Sequence, residues 1–193
     1  MRDTTFTHPL GGTIDLPLLV PSFSSKGFDF FTDRQSKPKK IFSSATNALD
    51  DFGRYLKESY LLSAYDIYHK HFRRPNRFFH DTALILLDSG GYELNPEFDS
   101  SEPKITPIRK LDFTRDDYVN TLGALYEKHN KDPFVIANFD WGTKNQSFKH
   151  QIHDARTIFA KHPNWASNFL LKPHPGREAG EICRIADLHL PKR

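Results

Sequence analysis

Cysteine is almost missing from this chain. Cys183 stands alone among 193 residues, which excludes an internal disulfide and any Cys-x-x-Cys zinc or redox motif within it. A reducing cytoplasm is the expected home of such a composition. Long apolar runs are missing too. None reaches the roughly 18–20 residues that span a bilayer, so no transmembrane helix is expected. The opening Met1-Arg2-Asp3-Thr4-Thr5 lacks the apolar centre of a secretory signal. Neither sign of charge is in large excess: 27 Lys and Arg face 24 Asp and Glu, a net charge of +3. That balance admits a polyanionic partner without demanding one. Repeats and low-complexity tracts are also absent. Aromatic residues, in contrast, make up 13% of the chain, with 17 Phe. Disordered chains lack such content, so a folded core is expected.

Short apolar runs alternate with longer amphipathic segments. Leu16 to Val20 reads as a strand ending at Pro21, and Lys40 to Ser43 is a further candidate. Ala83 to Leu87, Phe134 to Asn138 and Phe169 to Leu171 read as three more. Continuous apolar runs suit strands buried on both faces, as in a parallel sheet. Between them lie helical patterns. Asn47 to His71 carries Leu49, Phe52, Leu56, Tyr60 and Ala64 at helical spacing. Thr114 suits an N-cap, with Asp117 three residues on and Tyr118, Leu122 and Leu125 as an apolar stripe up to Asn130. Ser147 to Lys161 is a third helix, stopped by Pro163. Thr32 to Lys40 and Asn95 to Ile108 read as loops. About five strands alternating with helices predict an α/β parallel architecture. No domain boundary is visible, so residues 1–193 are read as a single domain.

Two strand ends carry acids. Leu87-Asp88-Ser89-Gly90-Gly91-Tyr92 places a carboxylate at the end of a buried strand, followed by glycines that let backbone approach a ligand. Ile136-Ala137-Asn138-Phe139-Asp140 repeats the arrangement. Strand C-terminal ends are where barrel and doubly wound folds keep their catalytic groups. Two acids there can converge on one pocket for acid/base work or for reading a donor-rich ligand. Each acid alone equally suits a helix cap, a turn or a salt bridge.

With these blocks in view, the chain resembles the tRNA-guanine transglycosylase superfamily, which places 7-deazaguanines into tRNA and, in some relatives, into DNA. Gly11-Gly12-Thr13-Ile14-Asp15-Leu16-Pro17 and the following Leu18 to Phe23 are similar to its opening strand. Asp88-Ser89-Gly90-Gly91-Tyr92 is similar to its Asp-Ser-Gly-Gly-aromatic-Gln signature, the most specific of the three blocks. Phe113-Thr114-Arg115-Asp116-Asp117, through to Asn138-Phe139-Asp140, resembles its Leu-Thr-Pro-Glu helix and the Phe-Asp strand end after it. The likeness runs from about residue 8 to residue 176.

The resemblance implies a TIM (β/α)8 barrel and a base exchange through a covalent glycosyl-enzyme. Asp88 would be the proton-handling carboxylate and Tyr92 the ring stacked on the base. Asp140 would read the base, with Ser89, Gly90 and Gly91 lining it. A carboxylate can accept both N1–H and N2–H2 of guanine, and an extruded base needs an aromatic wall. The chain also departs from the family. Glu93 stands where Gln is usual, and Lys172-Pro173-His174-Pro175-Gly176 stands where a strand ends in Gln-Gly. Together with Tyr92 these departures lean toward the DNA-modifying branch. A full barrel takes about 250 residues, so the chain is expected to be its N-terminal portion, a partial barrel of about five strands. The family's nucleophilic Asp and its Cys/Cys/Cys/His zinc site would lie beyond residue 193, leaving no cofactor in this chain. A C-terminal half or a homo-oligomer would then complete it.

Arg73-Arg74-Pro75-Asn76-Arg77-Phe78-Phe79-His80 is basic and aromatic. Arg73, Arg74 and Arg77 are the candidates for phosphate contact, against the plainer reading of a solvated helix end. The Lys37 to Lys40 run reads as solvated. The histidines make no recognisable metal set, and Cys183 reads as inert. The leading expectation is exchange of guanine for a 7-deazaguanine in tRNA or DNA. A non-catalytic guanine or nucleic-acid binding module stays open, as does an unrelated α/β hydrolase or lyase using Asp88 and Asp140.

Overall fold

Five segments of the chain lie side by side in the order in which they occur. A computed structural model describes residues 5–8, 12–23, 59–70, 82–90, 112–129, 133–140, 147–165 and 167–168. Strands β1 (Thr5–Thr7) and β2 (Thr13–Asp15) form an antiparallel hairpin with Phe6 opposite Ile14. Strands β3 (Ser22–Phe23), β4 (Ser59–Ser63), β5 (Leu84–Asp88), β6 (Phe134–Ala137) and β7 (Ser167–Asn168) form one parallel sheet in the order β3-β4-β5-β6-β7. Helix α1 (Ala64–Tyr68) follows β4, α2 (Arg115–Lys128) follows β5, and α3 (Phe148–Lys161) follows β6. This is the expected α/β alternation. Among the described residues no helix is long and apolar enough to cross a membrane.

The helices form where the local chemistry asks for them. Thr114 accepts the Asp117 N–H at 3.2 Å, and the Asp117 carboxylate accepts the Thr114 N–H at 2.9 Å, a complete capping box. Tyr118, Leu122 and Leu125 then recur on one side and are buried. Ser147 caps α3 by accepting the His150 N–H, and Pro163 follows the helix end. Arg115 Nε donates to Asp154 at 2.6 Å, pinning the start of α2 to α3.

The two faces of the sheet are covered differently. On one, Tyr60, Leu62, Ile85, Leu87, Phe134 and Ile136 pack with Tyr65 of α1, Tyr118, Leu122 and Leu125 of α2 and Ile158 of α3. Burial of each such side chain is worth about 1.5–3 kcal/mol. On the other, Leu84, Leu86 and Val135 pack with Ile14, Phe6 and Leu18 from the hairpin and the segment after it. The hairpin therefore sits under the N-terminal half of the second face. His8 fastens it there by donating from Nε2 to the carbonyl of Phe134, 2.9 Å away.

Some elements differ from expectation. Leu16 to Val20 is not a strand. Pro17 and Pro21 offer no N–H to a ladder, and the pairing begins beyond them, where Leu61 N–H donates to Pro21 at 2.8 Å. Leu19 is 79% exposed. The single helix expected over Asn47 to His71 is interrupted: Ser59–Ser63 is β4, and among the described residues of that stretch helix runs over Ala64–Tyr68. Tyr60 and Ala64 fit a helical spacing, but the pairing of β4 with β5 over five residues outweighs it. At the far edge, β6 pairs with Ser167 and Asn168, just before the expected Phe169 to Leu171. Lys40 to Ser43, residues 47–58, residues 169–171 and both expected loops lie outside the described residues.

Candidate functional site

The chain leaves β5 through Asp88, Ser89 and Gly90. Gly90 has φ 87°, the left-handed region that glycine enters without penalty, so the turn depends on it. The Asp88 Oδ1 accepts the Ser89 N–H at 2.8 Å. Ser89 is fully buried, and its Oγ accepts the N–H of Asp140 at 3.0 Å. One serine thus joins the two strand ends, and Asp88 and Asp140, far apart in sequence, emerge at the same end of neighbouring strands. Asp140 is not the cap of the next helix, a role that Ser147 fills for α3.

A buried aromatic layer lies beneath this end of the sheet. Asn138 and Phe139, between β6 and Asp140, are buried. The Phe139 ring lies 5.4 Å from that of Tyr118 and 6.3 Å from that of Phe113. The Tyr118 hydroxyl donates to the Ala137 carbonyl at the end of β6. Burial pushes the Tyr118 phenol well above its ordinary range, and the charges of Asp88 and Asp154 add to the shift. The group remains a protonated donor across ordinary pH.

Of the residues expected at the site, Asp88, Ser89, Gly90 and Asp140 are brought together. Gly91, Tyr92, Arg73, Arg74 and Arg77 lie outside the described residues, as do Glu93, His174 and Cys183. Two polar residues at this end escaped the sequence reading. Ser63 ends β4 opposite Asp88, and Asp66, in the first turn of α1, is completely buried. Both fall in the segment read as a long helix. The signal that would have found them is the short apolar run Tyr60-Leu61-Leu62 bracketed by serines, the mark of a small buried strand.

The second face is therefore graded. Its N-terminal half is covered by the hairpin and apolar except for Ser59, whose hydroxyl donates to the Leu19 carbonyl, while its C-terminal half carries Ser63 and Asp88. Two carboxylates on adjacent strand ends can accept hydrogen bonds from a donor-rich ligand or move a proton at it. Among the described residues no group of three His, Cys, Asp or Glu side chains could hold a metal ion. Comparison with protein-family models, with curated proteins and with solved structures gave no match to this chain.

Proposed function

We propose that this chain forms part of a (β/α) barrel that holds a guanine-type base between Asp88 and Asp140 and exchanges it in tRNA or DNA. The observation that carries the reading is the Ser89 bridge, which ties the two acids at one end of the sheet. Three features support the barrel. The strand order is sequential without reversal, the three described helices share one face, and the hairpin closes the N-terminal end of the other. A doubly wound sheet would reverse its order and place helices on both faces. In this reading Asp140 accepts the N1–H and N2–H2 of the base, and Asp88 handles the proton. Tyr92 stacks, and Arg73, Arg74 and Arg77 meet phosphates in a cytoplasmic setting. A nucleophile from a C-terminal half completes the exchange.

The test is equilibrium binding of guanine and 7-deazaguanine, followed by entry of labelled guanine into tRNA and into duplex DNA. Asp140→Asn and Asp88→Asn are each expected to weaken guanine binding about 10- to 100-fold, the range of a hydrogen bond to a charged group. Guanine binding without exchange, even after addition of a C-terminal half, would make the chain a binding module. Absence of guanine binding, or full binding by both variants, overturns the site.

A further inference from the structure

Ser63 pairs directly with Asp88 across β4 and β5. Paired residues of neighbouring strands project to the same side of a sheet. The hydroxyl and the carboxylate therefore share the face on which no described helix packs, at the end away from the hairpin. Ser63 is 1% exposed, and among the described residues its Oγ has no hydrogen-bond partner.

Two more favourable outcomes were open at this position. Ser63 precedes α1, where a serine side chain ordinarily accepts an N–H from the first turn, yet it makes no such bond. Alanine would fill the same place without burying an unsatisfied hydroxyl, a penalty at least as large as the net gain from an ordinary hydrogen bond. Nearby serines are engaged: Ser59, on the same face of β4, donates to the Leu19 carbonyl at 2.9 Å, and Ser89 accepts from Asp140. A buried polar group left without a partner calls for an explanation, and a ligand is one.

We infer that Ser63 is a specificity-determining residue of the Asp88–Asp140 site, its hydroxyl donating to the exocyclic oxygen of the bound base. The inference rests on the base-binding reading above. Carboxylates only accept, so they select the donors of a guanine edge and leave O6 unread. A hydroxyl beside them supplies the missing donor. The combination favours an oxo-amino purine over analogues that weaken the acceptor.

The test is calorimetric titration of the wild-type chain, Ser63→Ala, Ser63→Thr and Asp140→Asn with guanine and with 6-thioguanine, which keeps both donors and weakens the acceptor. The wild-type chain is expected to prefer guanine. Ser63→Ala should lose about 3- to 10-fold in guanine affinity, the worth of one net hydrogen bond. It should bind 6-thioguanine nearly as before and melt no lower than wild type. Ser63→Thr, which keeps the hydroxyl, should retain the preference. If Asp140→Asn loses binding while Ser63→Ala keeps both affinity and preference, the inference fails and the base-binding reading stands. Equal loss for both bases together with a lowered melting temperature makes Ser63 structural and also overturns it. If the wild-type chain binds neither base, both readings fall.

Discussion

The Tyr118 hydroxyl donates to Ala137, three residues before Asp140, while its ring packs on Phe139. Tyr118 thus sets where β6 ends and where Asp140 departs. Its phenol is raised well above its ordinary value, first by burial and then by the charges of Asp88 and Asp154. A raised folded value means that the contribution is complete below the unfolded value of about 10 and fades as pH rises through the folded one. Tyr118→Phe is expected to cost about 1–2 kcal/mol at pH 7, because the Ala137 carbonyl loses a buried donor. The gap from wild type should narrow as pH rises beyond about 10. Urea unfolding of both proteins across that range checks this, and a gap independent of pH would remove the hydroxyl from the argument. At this scale the two acids were legible, since an acid directly after a buried apolar run stands out. The serine that joins them gained its role only from the pairing of β5 with β6. Tyr118 was legible as one member of a helical stripe, because periodicity records which side a residue faces and not which carbonyl its hydroxyl reaches.

The capping box at the start of α2 acts on a whole element. Asp117 is held below the usual carboxylate range chiefly by the Thr114 hydroxyl and then by the Thr114 N–H. Desolvation opposes the shift, while the Tyr68 hydroxyl and the His69 charge add to it. A lowered folded value gives stability that is present above the unfolded value of about 4 and lost as pH falls through the folded one. Loss of the N-cap hydroxyl in Thr114→Ala is expected to cost about 1 kcal/mol of stability at pH 7. The difference between wild type and Asp117→Ala should be complete at pH 6 and close as pH drops below about 4. Thermal unfolding across an acid series decides it, and a gap that persists in acid would mean that the carboxylate charge is not what caps the helix. Elements with such local signals were the legible ones: α2 and α3 start at their caps, and β5 and β6 match their apolar runs to within a residue. β4 was hidden because its spacing also suits a helix and only its pairing with β5 makes it a strand. β3 was misplaced because the apolar run before it is interrupted by prolines that cannot donate to the ladder.

Across the described sheet, an apolar support and the two strand-end acids lie at opposite ends of the strands. The hairpin meets the N-terminal end of the second face through Ile14 on Leu84 and Val135, and through His8 on Phe134. Asp88 and Asp140 stand at the opposite end. If the two ends are independent, damage to the hairpin should reduce stability and leave the site of the folded protein intact. Ile14 is buried, and Ile14→Ala removes most of its contact with the sheet, so a cost of about 2–4 kcal/mol is expected. Urea unfolding measures that loss. Guanine affinity, measured well below the unfolding transition, should remain within about twofold of wild type, since changes at separated sites combine nearly additively. A fall in affinity as large as that of Asp140→Asn would show that the hairpin is coupled to the strand ends. The face between Ile14 and Asp88 would then behave as one unit, not as an apolar support beneath a separate polar site.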